Sequence, residues 1–398
     1  MMEAAVSHTQ LTVYGTTWCS DCKRAKKFLG EQRVHYDWVD VEQDAEGLAL
    51  VERTNNGKRI IPTIVFGDQT VLVEPSNAEL AAKLGLQTRA KMNYYDLICI
   101  GGGPTSLTAA LYAAREGLDV LVIERGGLGG QAGVTERLDN FPGFPEGVSG
   151  AEFADRLTQQ ARRFNVELLQ AQEVTGLRAE AESRYVATAD GNEYGARAIL
   201  VATGSTYRRL GVPGEDELIG AGVHFCATCD GPFYKGKHVA VVGGGNSAGE
   251  ESLFLTRFVE KVTLLVRGSA LSASKIVIDK IAETPAIEVR YNTEISALQG
   301  ETKLTGIVIR DRESGMTEEI HPAGLFVFIG LTPNTSALPA EIARDNFGFI
   351  TTALTLETSM PGVFAAGDVR AGSTKQAASA AGEGATAALM IREYLKSV

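Results

Sequence analysis

The sequence predicts an α/β chain, and three stretches carry that prediction. Tyr95-Asp-Leu-Ile-Cys-Ile100 is a buried strand that enters Gly101-Gly-Gly103-Pro-Thr-Ser106 and then a helix, Leu107 to Arg115. The same order returns where Val-Ala-Val-Val runs into Gly243-Gly-Gly245-Asn-Ser-Ala248. Nearer the start, the alternating strand Leu11-Thr-Val-Tyr14 leads through Trp18 into Cys19-Ser-Asp-Cys22 and the helix Lys23 to Leu29. Strands alternating with helices in this way imply largely parallel sheets covered by helices.

The totals agree with several such units. A length of 398 residues suggests two to four domains, and 44% apolar residues are enough for full-sized cores. Forty-four glycines suit tight turns without any low-complexity repeat. A net charge of -11 argues against a nucleic-acid surface and against adhesion to anionic membranes. The amino terminus lacks a basic cluster and an apolar core, and no run of about 18 apolar residues occurs, so a cytoplasmic protein without a membrane span is expected. Five cysteines, four of them in Cys-x-x-Cys pairs at 19/22 and 226/229, do not form a secreted disulfide framework. The pairs lie far apart on different units, each beside a helix start, so no metal site is expected.

In the first unit, Cys19 falls at a helix amino terminus with Lys23 and Arg24 nearby. Both effects favour the thiolate, which makes Cys19 the expected nucleophile and Cys22, one turn in, the resolving thiol. Trp18 is expected to cover the pair. His35 to Asp40 reads as a strand, Ala45 to Arg53 as a helix, and Arg59 to Phe66 as a strand entered by Pro62. A trans proline would simply begin an edge strand, whereas a cis Ile61-Pro62 bond would turn a backbone edge toward the thiols. Trp18, Pro62 and Thr63 are therefore the substrate-binding candidates. The motifs Trp18-Cys19-Ser-Asp-Cys22, Ile61-Pro62-Thr63 and Val73-Glu74-Pro75-Ser76 make this unit similar to the glutaredoxins, in particular the mycoredoxin-like branch. That resemblance implies a thioredoxin fold and dithiol exchange. Many glutathione-using members carry Gly-Gly-x-x-Asp where this chain has Glu74-Pro-Ser-Asn77. Residues 85–93 are polar and read as a short linker, able to hold the two halves at millimolar effective concentration.

The second unit continues from its glycine turn to the strand Asp119 to Glu124. Glycines allow close approach of a pyrophosphate, the helix start attracts it, and Glu124 can accept from ribose hydroxyls. Together these form a dinucleotide fingerprint, with Ser106 as a small third residue. Cys99, in the strand, reads as a buried hydrophobe. Gly129-Gly130-Gln131, Asn140, Ala202-Thr203-Gly204, Cys226-Ala-Thr-Cys229-Asp230, Gly243-x-Gly245 and Ala366-Gly367-Asp368 follow in order. With Gly101-x-Gly103-Pro104, these motifs make residues 95–398 resemble the low-molecular-weight thioredoxin reductases.

The resemblance implies a flavin domain interrupted by a nicotinamide domain. The expected fold is thus α/β: a thioredoxin-fold domain at 9–88, a linker at 89–94, a Rossmann-like FAD-binding domain at 95–208 and 333–398, and a second Rossmann-like domain, inserted in the first, at 209–332. For FAD it implies Gly101, Gly103, Pro104, Thr105, Ser106, Glu124, Gly130, Gln131, Asn140, Ala202, Thr203, Gly204, Gly367, Asp368, Lys375, Gln376 and Ala377. The Ala- and Gly-rich run to Ala388 reads as close packing of a helix on the sheet.

Cys226 and Cys229 are expected to form a redox pair, and a helix beginning at the second cysteine would lower its thiol pKa. The resemblance implies that Cys229 faces the flavin, Cys226 attacks the incoming disulfide and Asp230 donates a proton; a helix-cap role for Asp230 stays open beside this. Glutathione-reductase-like enzymes place their disulfide in the first flavin segment and use a histidine near the carboxyl terminus. Here no cysteine lies between 100 and 225, and the last histidine is His321. Gly243, Gly245, Asn246, Ser247 and Ala248 would take the nicotinamide dinucleotide, and Arg267 with Ser269 suits the 2'-phosphate of NADPH.

The expected activity is NADPH-dependent disulfide reduction, with electrons passing by FAD and Cys226/Cys229 to Cys19/Cys22. Thioredoxin- or glutaredoxin-type protein disulfides or small-thiol mixed disulfides would receive them, and the resemblance implies a homodimer. Rival expectations are a flavin reductase of the ferredoxin-NADP type, the reductase arm of a peroxiredoxin system, and a redox-responsive binding module.

Overall fold

Alternation in Leu11–Gly15 turns Leu11 and Val13 into the first core, and this strand becomes the centre of a small sheet. The computed structural model describes residues 11–397 except Glu136, and the side chains of Thr228 and Cys229 also lie outside the described residues. Asp37–Asp40 pairs parallel with the central strand on one side. Thr63–Phe66 pairs antiparallel on the other and carries Val71–Val73 at the edge. The strand predicted from Arg59 starts only at Thr63, after the cis Ile61-Pro62 bond. The helix Ser20–Glu31 buries Cys22, Ala25, Phe28 and Leu29, one face at helical spacing. Asn77–Lys83 opens on a capping box in which Ser76 and Glu79 satisfy each other's backbone N–H groups.

A second sheet of seven strands has Tyr94–Ile100 near its middle, parallel to Val120–Ile123 and Glu193–Val201. Because both faces are covered at the middle of the sheet, residues 97–100 form an unbroken apolar run: Leu97 and Cys99 enter one core, Ile98 and Ile100 the other. Cys99 is fully buried and its thiol is pushed above its ordinary pKa by that burial. The Ala- and Gly-rich run predicted to pack on the sheet forms the helix Ala377–Leu395, but Gly384 is seated on the helix Pro104–Arg115. A Cβ at Gly384 would lie 2.2 Å from the Thr105 carbonyl oxygen, so close helix–helix contact, rather than contact with the sheet, explains that glycine.

The chain leaves this sheet through Ser205–Tyr207 and returns through Leu331–Pro333, which pair antiparallel as a two-stranded ribbon. Between them lies a five-stranded parallel sheet, ordered from Val223–His224 through Leu325–Val327, His238–Val242 and Lys261–Leu265 to Ile287–Arg290. A three-stranded antiparallel sheet, Thr293–Gln299, Gly306–Asp311 and Thr317–Ile320, flanks it. Asn334 ties the ribbon: its Nδ2 donates to the Thr203 carbonyl at 2.8 Å, and its Oδ1 accepts from the Thr206 hydroxyl at 2.9 Å.

The polar stretch predicted as a loose linker is strapped down. Glu167, 9% exposed, accepts from the Lys91 N–H at 2.7 Å, the Gln87 amide and the Tyr95 hydroxyl at 2.8 Å. The Gln170 N–H donates to the Gln87 carbonyl at 2.7 Å. The first unit also touches the second directly, through the Gly127 N–H on the Glu31 carbonyl at 2.6 Å and Gln32 Nε2 on the Arg125 carbonyl at 2.9 Å.

Candidate functional site

Cys19 is the N-cap of Ser20–Glu31, and its Sγ accepts the Cys22 N–H at 3.1 Å. The same Sγ is 3.8 Å from the Ile61 carbonyl oxygen. Cys22 is fully buried, and its thiol is pushed up to about 12 by that burial and by its hydrogen bond with Cys19. Cys22 therefore stays a thiol at neutral pH, and Cys19, at the helix start, is the member placed to attack. Both are free thiols. Room for the inner one comes from Gly15, where a Cβ would sit 2.6 Å from Cys22 Sγ.

Two expectations for this site need correction. Trp18, next to the pair, is 64% exposed, and its ring N–H donates to Glu42 at 3.2 Å. Arg24 is held elsewhere, on the Pro75 carbonyl at 2.8 Å and Asp21 at 3.0 Å, so its charge serves the fold. Thr63 is fully buried, with its hydroxyl donating to the Ile60 carbonyl at 2.8 Å and accepting from Asn55 at 3.0 Å, which leaves no side-chain group for a substrate. Pro62 is buried, and its carbonyl accepts from the Glu74 N–H at 2.8 Å.

At the second pair, Cys226 is half-buried and disulfide-bonded. The side chain of Cys229 lies outside the described residues. The helix spans Ala227–Asp230 and so begins after the first cysteine rather than at the second, and the Asp230 N–H donates to the Cys226 carbonyl at 3.1 Å. Asp230 makes no side-chain cap for the turn Gly231–Tyr234 that follows. Its carboxylate is 3.5 Å from His224 Nδ1, and His224 Nε2 is 2.6 Å from the Tyr234 hydroxyl. No sequence motif marks His224, 9% exposed, although it stands two residues before Cys226. Asp230 and Asp368, far apart in sequence, both act on Tyr207, whose phenol is pushed up to about 12 mainly by burial. Tyr207 in turn stacks on Phe225 with centroids 5.0 Å apart. Phe225, next to Cys226, is thereby packed on the ribbon strand Ser205–Tyr207.

Gly103 is the N-cap and Pro104 the first residue of Pro104–Arg115, with Thr105 and Ser106 buried in that turn. Gly101 has φ 101°, and a Cβ there would lie 2.5 Å from the Ala202 carbonyl oxygen, so only glycine lets the two turns meet. Glu124 accepts from the N–H groups of Gly102, at 2.5 Å, and Gly126, at 2.7 Å. The Thr203 hydroxyl donates to the Asn334 carbonyl at 2.7 Å. Gly130 lies against Gly103, with Gln131 exposed beside it. Asn140 Nδ2 donates to Gln376 Oε1 at 3.0 Å, joining two candidates from opposite ends of the unit just before Ala377 opens its helix. The Gly367 N–H donates to Glu383 at 2.7 Å, and Glu383 also pairs with Arg370 at 2.7 Å. Lys375 Nζ donates to the Asp368 carbonyl at 2.7 Å and sits 4.2 Å from the Phe349 ring centroid. Burial pushes the Asp368 carboxyl up, opposed by Lys375.

In the third unit, Gly245 is the N-cap of Asn246–Leu255 and Ala248 is buried against Gly243. Asn246 Oδ1 accepts the Ser274 N–H at 2.6 Å, so this side chain fastens a loop. Ser247, Arg267 and Ser269 are exposed. Arg312 donates to the Arg267 carbonyl at 3.1 Å, bringing a second basic residue that the sequence order had concealed.

The cradles fit dinucleotides. A Cβ at Gly204 or Gly245 would meet nothing within 4 Å, and one at Gly103 would meet only the Gly130 Cα at 3.8 Å. Open space therefore faces both helix starts, where unpaired N–H groups favour phosphates. Among the described residues no group of His, Cys, Asp and Glu is arranged to hold a metal ion, and no helix is long and apolar enough to cross a membrane.

Residues 95–384 match the pyridine nucleotide-disulphide oxidoreductase family, and residues 11–71 match glutaredoxin. The chain is 40% identical over 304 residues to a thioredoxin reductase of Treponema pallidum, covering 76% of this chain and 98% of that one. It is 41% identical over 302 residues to the bifunctional thioredoxin reductase/thioredoxin of Mycobacterium leprae, covering 76% of this chain and 66% of that one. The crystal structure of thioredoxin reductase from Streptococcus pyogenes superposes with a TM-score of 0.73 at 37% identity, over 77% of this chain and 99% of that one. Thioredoxin reductase from Giardia duodenalis gives 0.72 at 32% identity, over 77% and 100%. The chain belongs to the low-molecular-weight thioredoxin reductase family of FAD- and NAD(P)-dependent disulfide reductases, which move electrons through a redox-active cysteine pair, and it carries that enzyme behind a glutaredoxin-fold domain.

Proposed function

We propose that the enzyme oxidises NADPH and passes the electrons from Cys226/Cys229 to its own Cys19/Cys22, and from there to protein disulfides or mixed disulfides of small thiols. FAD, when bound, would supply the two-electron carrier between the nicotinamide and the cysteine pair. It would be held by the turns at Gly101, Gly103, Pro104, Thr105 and Ser106, by Glu124, Gly130, Gln131 and Asn140, by Ala202, Thr203 and Gly204, and by Gly367, Asp368, Lys375, Gln376 and Ala377. Gly243, Gly245, Asn246, Ser247 and Ala248 would take the nicotinamide dinucleotide. Arg267 with the neighbouring Arg312 favours a 2'-phosphate over a bare ribose.

The observation that carries the relay is the asymmetry of the first pair. Cys19 is at a helix start, and Cys22 is buried behind it with a raised pKa. In the proposed exchange the Cys226 thiolate attacks Cys19 of an oxidised Cys19–Cys22 bond, forming a 226–19 disulfide and releasing Cys22, which takes up a proton. The Cys229 thiolate then attacks Cys226, closing the second pair and releasing Cys19 as a thiolate. Asp230 would protonate and deprotonate thiols of its own pair, with His224 steadying its carboxylate. The ribbon Ser205–Tyr207 with Leu331–Pro333 is the natural hinge for carrying Cys226 outward, since it connects the two larger units.

Stopped-flow reduction by NADPH followed by turnover of a disulfide panel tests this. Cys19→Ser should retain the flavin bleaching phase and lose disulfide turnover by about 100-fold or more, the scale expected when an activated nucleophile is removed. Equal turnover by Cys19→Ser and wild type on every disulfide would overturn the relay.

A further inference from the structure

Arg33 follows the helix Ser20–Glu31 in the left-handed region, at φ 57°. The Arg33 N–H donates to the Gly30 carbonyl at 3.0 Å and the Val34 N–H to the Leu29 carbonyl at 2.9 Å, closing the helix end where glycine is the usual occupant. A side chain there costs roughly 1 kcal/mol in backbone strain unless it makes contacts that offset it. Arg33 makes such contacts across the domain boundary. Its Nη1 donates to the Leu128 carbonyl and its Nη2 to the Gly130 carbonyl at 2.5 Å.

The receiving loop is shaped for this guanidinium. A Cβ at Gly127 would lie 2.9 Å from Arg33 Cγ, and one at Gly133 would lie 2.0 Å from its Nη1. A Cβ at Gly129 would come within 3.2 Å of Nη1 while striking the Ala154 Cβ at 2.2 Å. These glycines therefore form a slot for a side chain of another domain. Burial lowers the guanidinium pKa, opposed by Glu124 and Asp155, which face it. Arginine stays charged even so, and charge-assisted bonds to two carbonyls are stronger than neutral ones.

The same loop bears on the dinucleotide turn. The Gly129 N–H donates to the Gly102 carbonyl at 2.7 Å, and Gly130 packs on Gly103. Because a trans peptide sets its N–H opposite its C=O, the bond to the Gly130 carbonyl turns the Gln131 N–H away from Arg33. We propose that Arg33 of the glutaredoxin-fold unit is a positioning residue for the flavin site, holding the Leu128–Gly130 loop closed against the dinucleotide turn. The first unit is then part of the FAD cradle. Its dithiol lies at the far end of a 12-residue helix, about 18 Å from this anchor. This inference rests on the FAD-binding reading above.

The test is titration of FAD into apo-protein, followed by quenching of FAD fluorescence, for wild type, Arg33→Gly and Arg33→Lys. Each apo-protein is also melted. Glycine relieves the left-handed strain, which partly offsets the loss of the two charge-assisted bonds, so Arg33→Gly should remain folded at the titration temperature yet bind FAD about 10-fold more weakly or worse, the scale of losing charge-assisted hydrogen bonds. Arg33→Lys, which restores charge without the fork, should fall between them. FAD affinity of Arg33→Gly within two-fold of wild type would overturn the proposal. So would weaker binding that vanishes once the titration is run at a temperature where the apo-variant is fully folded, because the arginine would then serve the fold alone. Failure of the wild type to bind FAD at all would overturn the cofactor reading, and the clamp with it.

Discussion

His224 Nδ1 lies 3.5 Å from the Asp230 carboxylate while its Nε2 is 2.6 Å from the Tyr234 hydroxyl. If Tyr234 donates to Nε2, the proton sits on Nδ1 and points at Asp230, which fixes the carboxylate beside the Cys226 segment. His224→Asn should therefore lower disulfide turnover by about 10-fold, less than the loss of a general acid itself, and alter the pH profile of kcat. Flavin bleaching by NADPH should continue. A wild-type pH profile in His224→Asn would show that the contact is only structural.

The first pair should react unequally. Burial raises the Cys22 thiol to about 12, so the thiolate of Cys22 is absent at neutral pH and forms only as pH approaches that value. Iodoacetamide at pH 7.5 should label Cys19 in the reduced protein and leave Cys22 intact, read by peptide mass spectrometry. Equal labelling of both would refute the assignment of nucleophile and resolving thiol.

Asp368 should carry a stability cost in the apo-protein. Its folded pKa is raised by burial, so the stability it contributes is fully present below the unfolded carboxyl pKa and is lost as pH rises through the folded one. Asp368→Asn should raise the apo melting temperature at pH 7 by about 2 °C or more, with the difference vanishing near pH 3. FAD affinity should fall in the same variant. A lower melting temperature at pH 7 would contradict the sign.

Glu167 holds the connection between the first two units through three donors. Glu167→Ala leaves the Lys91 N–H and the Tyr95 hydroxyl without that acceptor and should cost about 2 to 4 kcal/mol in chemical unfolding. It should also speed trypsin cleavage at Arg89 and Lys91. Unchanged cleavage would mean that other contacts hold the strap.

Arg267 and Arg312 meet only through the fold. Arg312→Ala should raise KM for NADPH by about 5-fold or more while leaving KM for NADH nearly unchanged, since only the former carries a 2'-phosphate to pair with. Parallel changes for both dinucleotides would remove Arg312 from the nucleotide site.

What the sequence alone determined was local. Gly101 and Gly243 announce their turns because each adopts positive φ within a strand-turn-helix unit, a requirement satisfied by adjacent residues. Cys19 and Cys22 likewise fall one helical turn apart whatever surrounds them. Tertiary structure decided which distant groups meet. Sheet packing sets Asn140 on Gln376, Arg312 on Arg267 and Arg33 on the Leu128–Gly130 loop, and no periodicity within one segment encodes those contacts. It also decided burial. Residues 85–93 read as a loose tether because they are polar, yet their donors converge on the buried Glu167, whose desolvated carboxylate needs them. His224 is hidden in the sequence for the same reason: a histidine is ordinary by composition, and only its enclosure between Tyr234 and Phe326 aims it at Asp230.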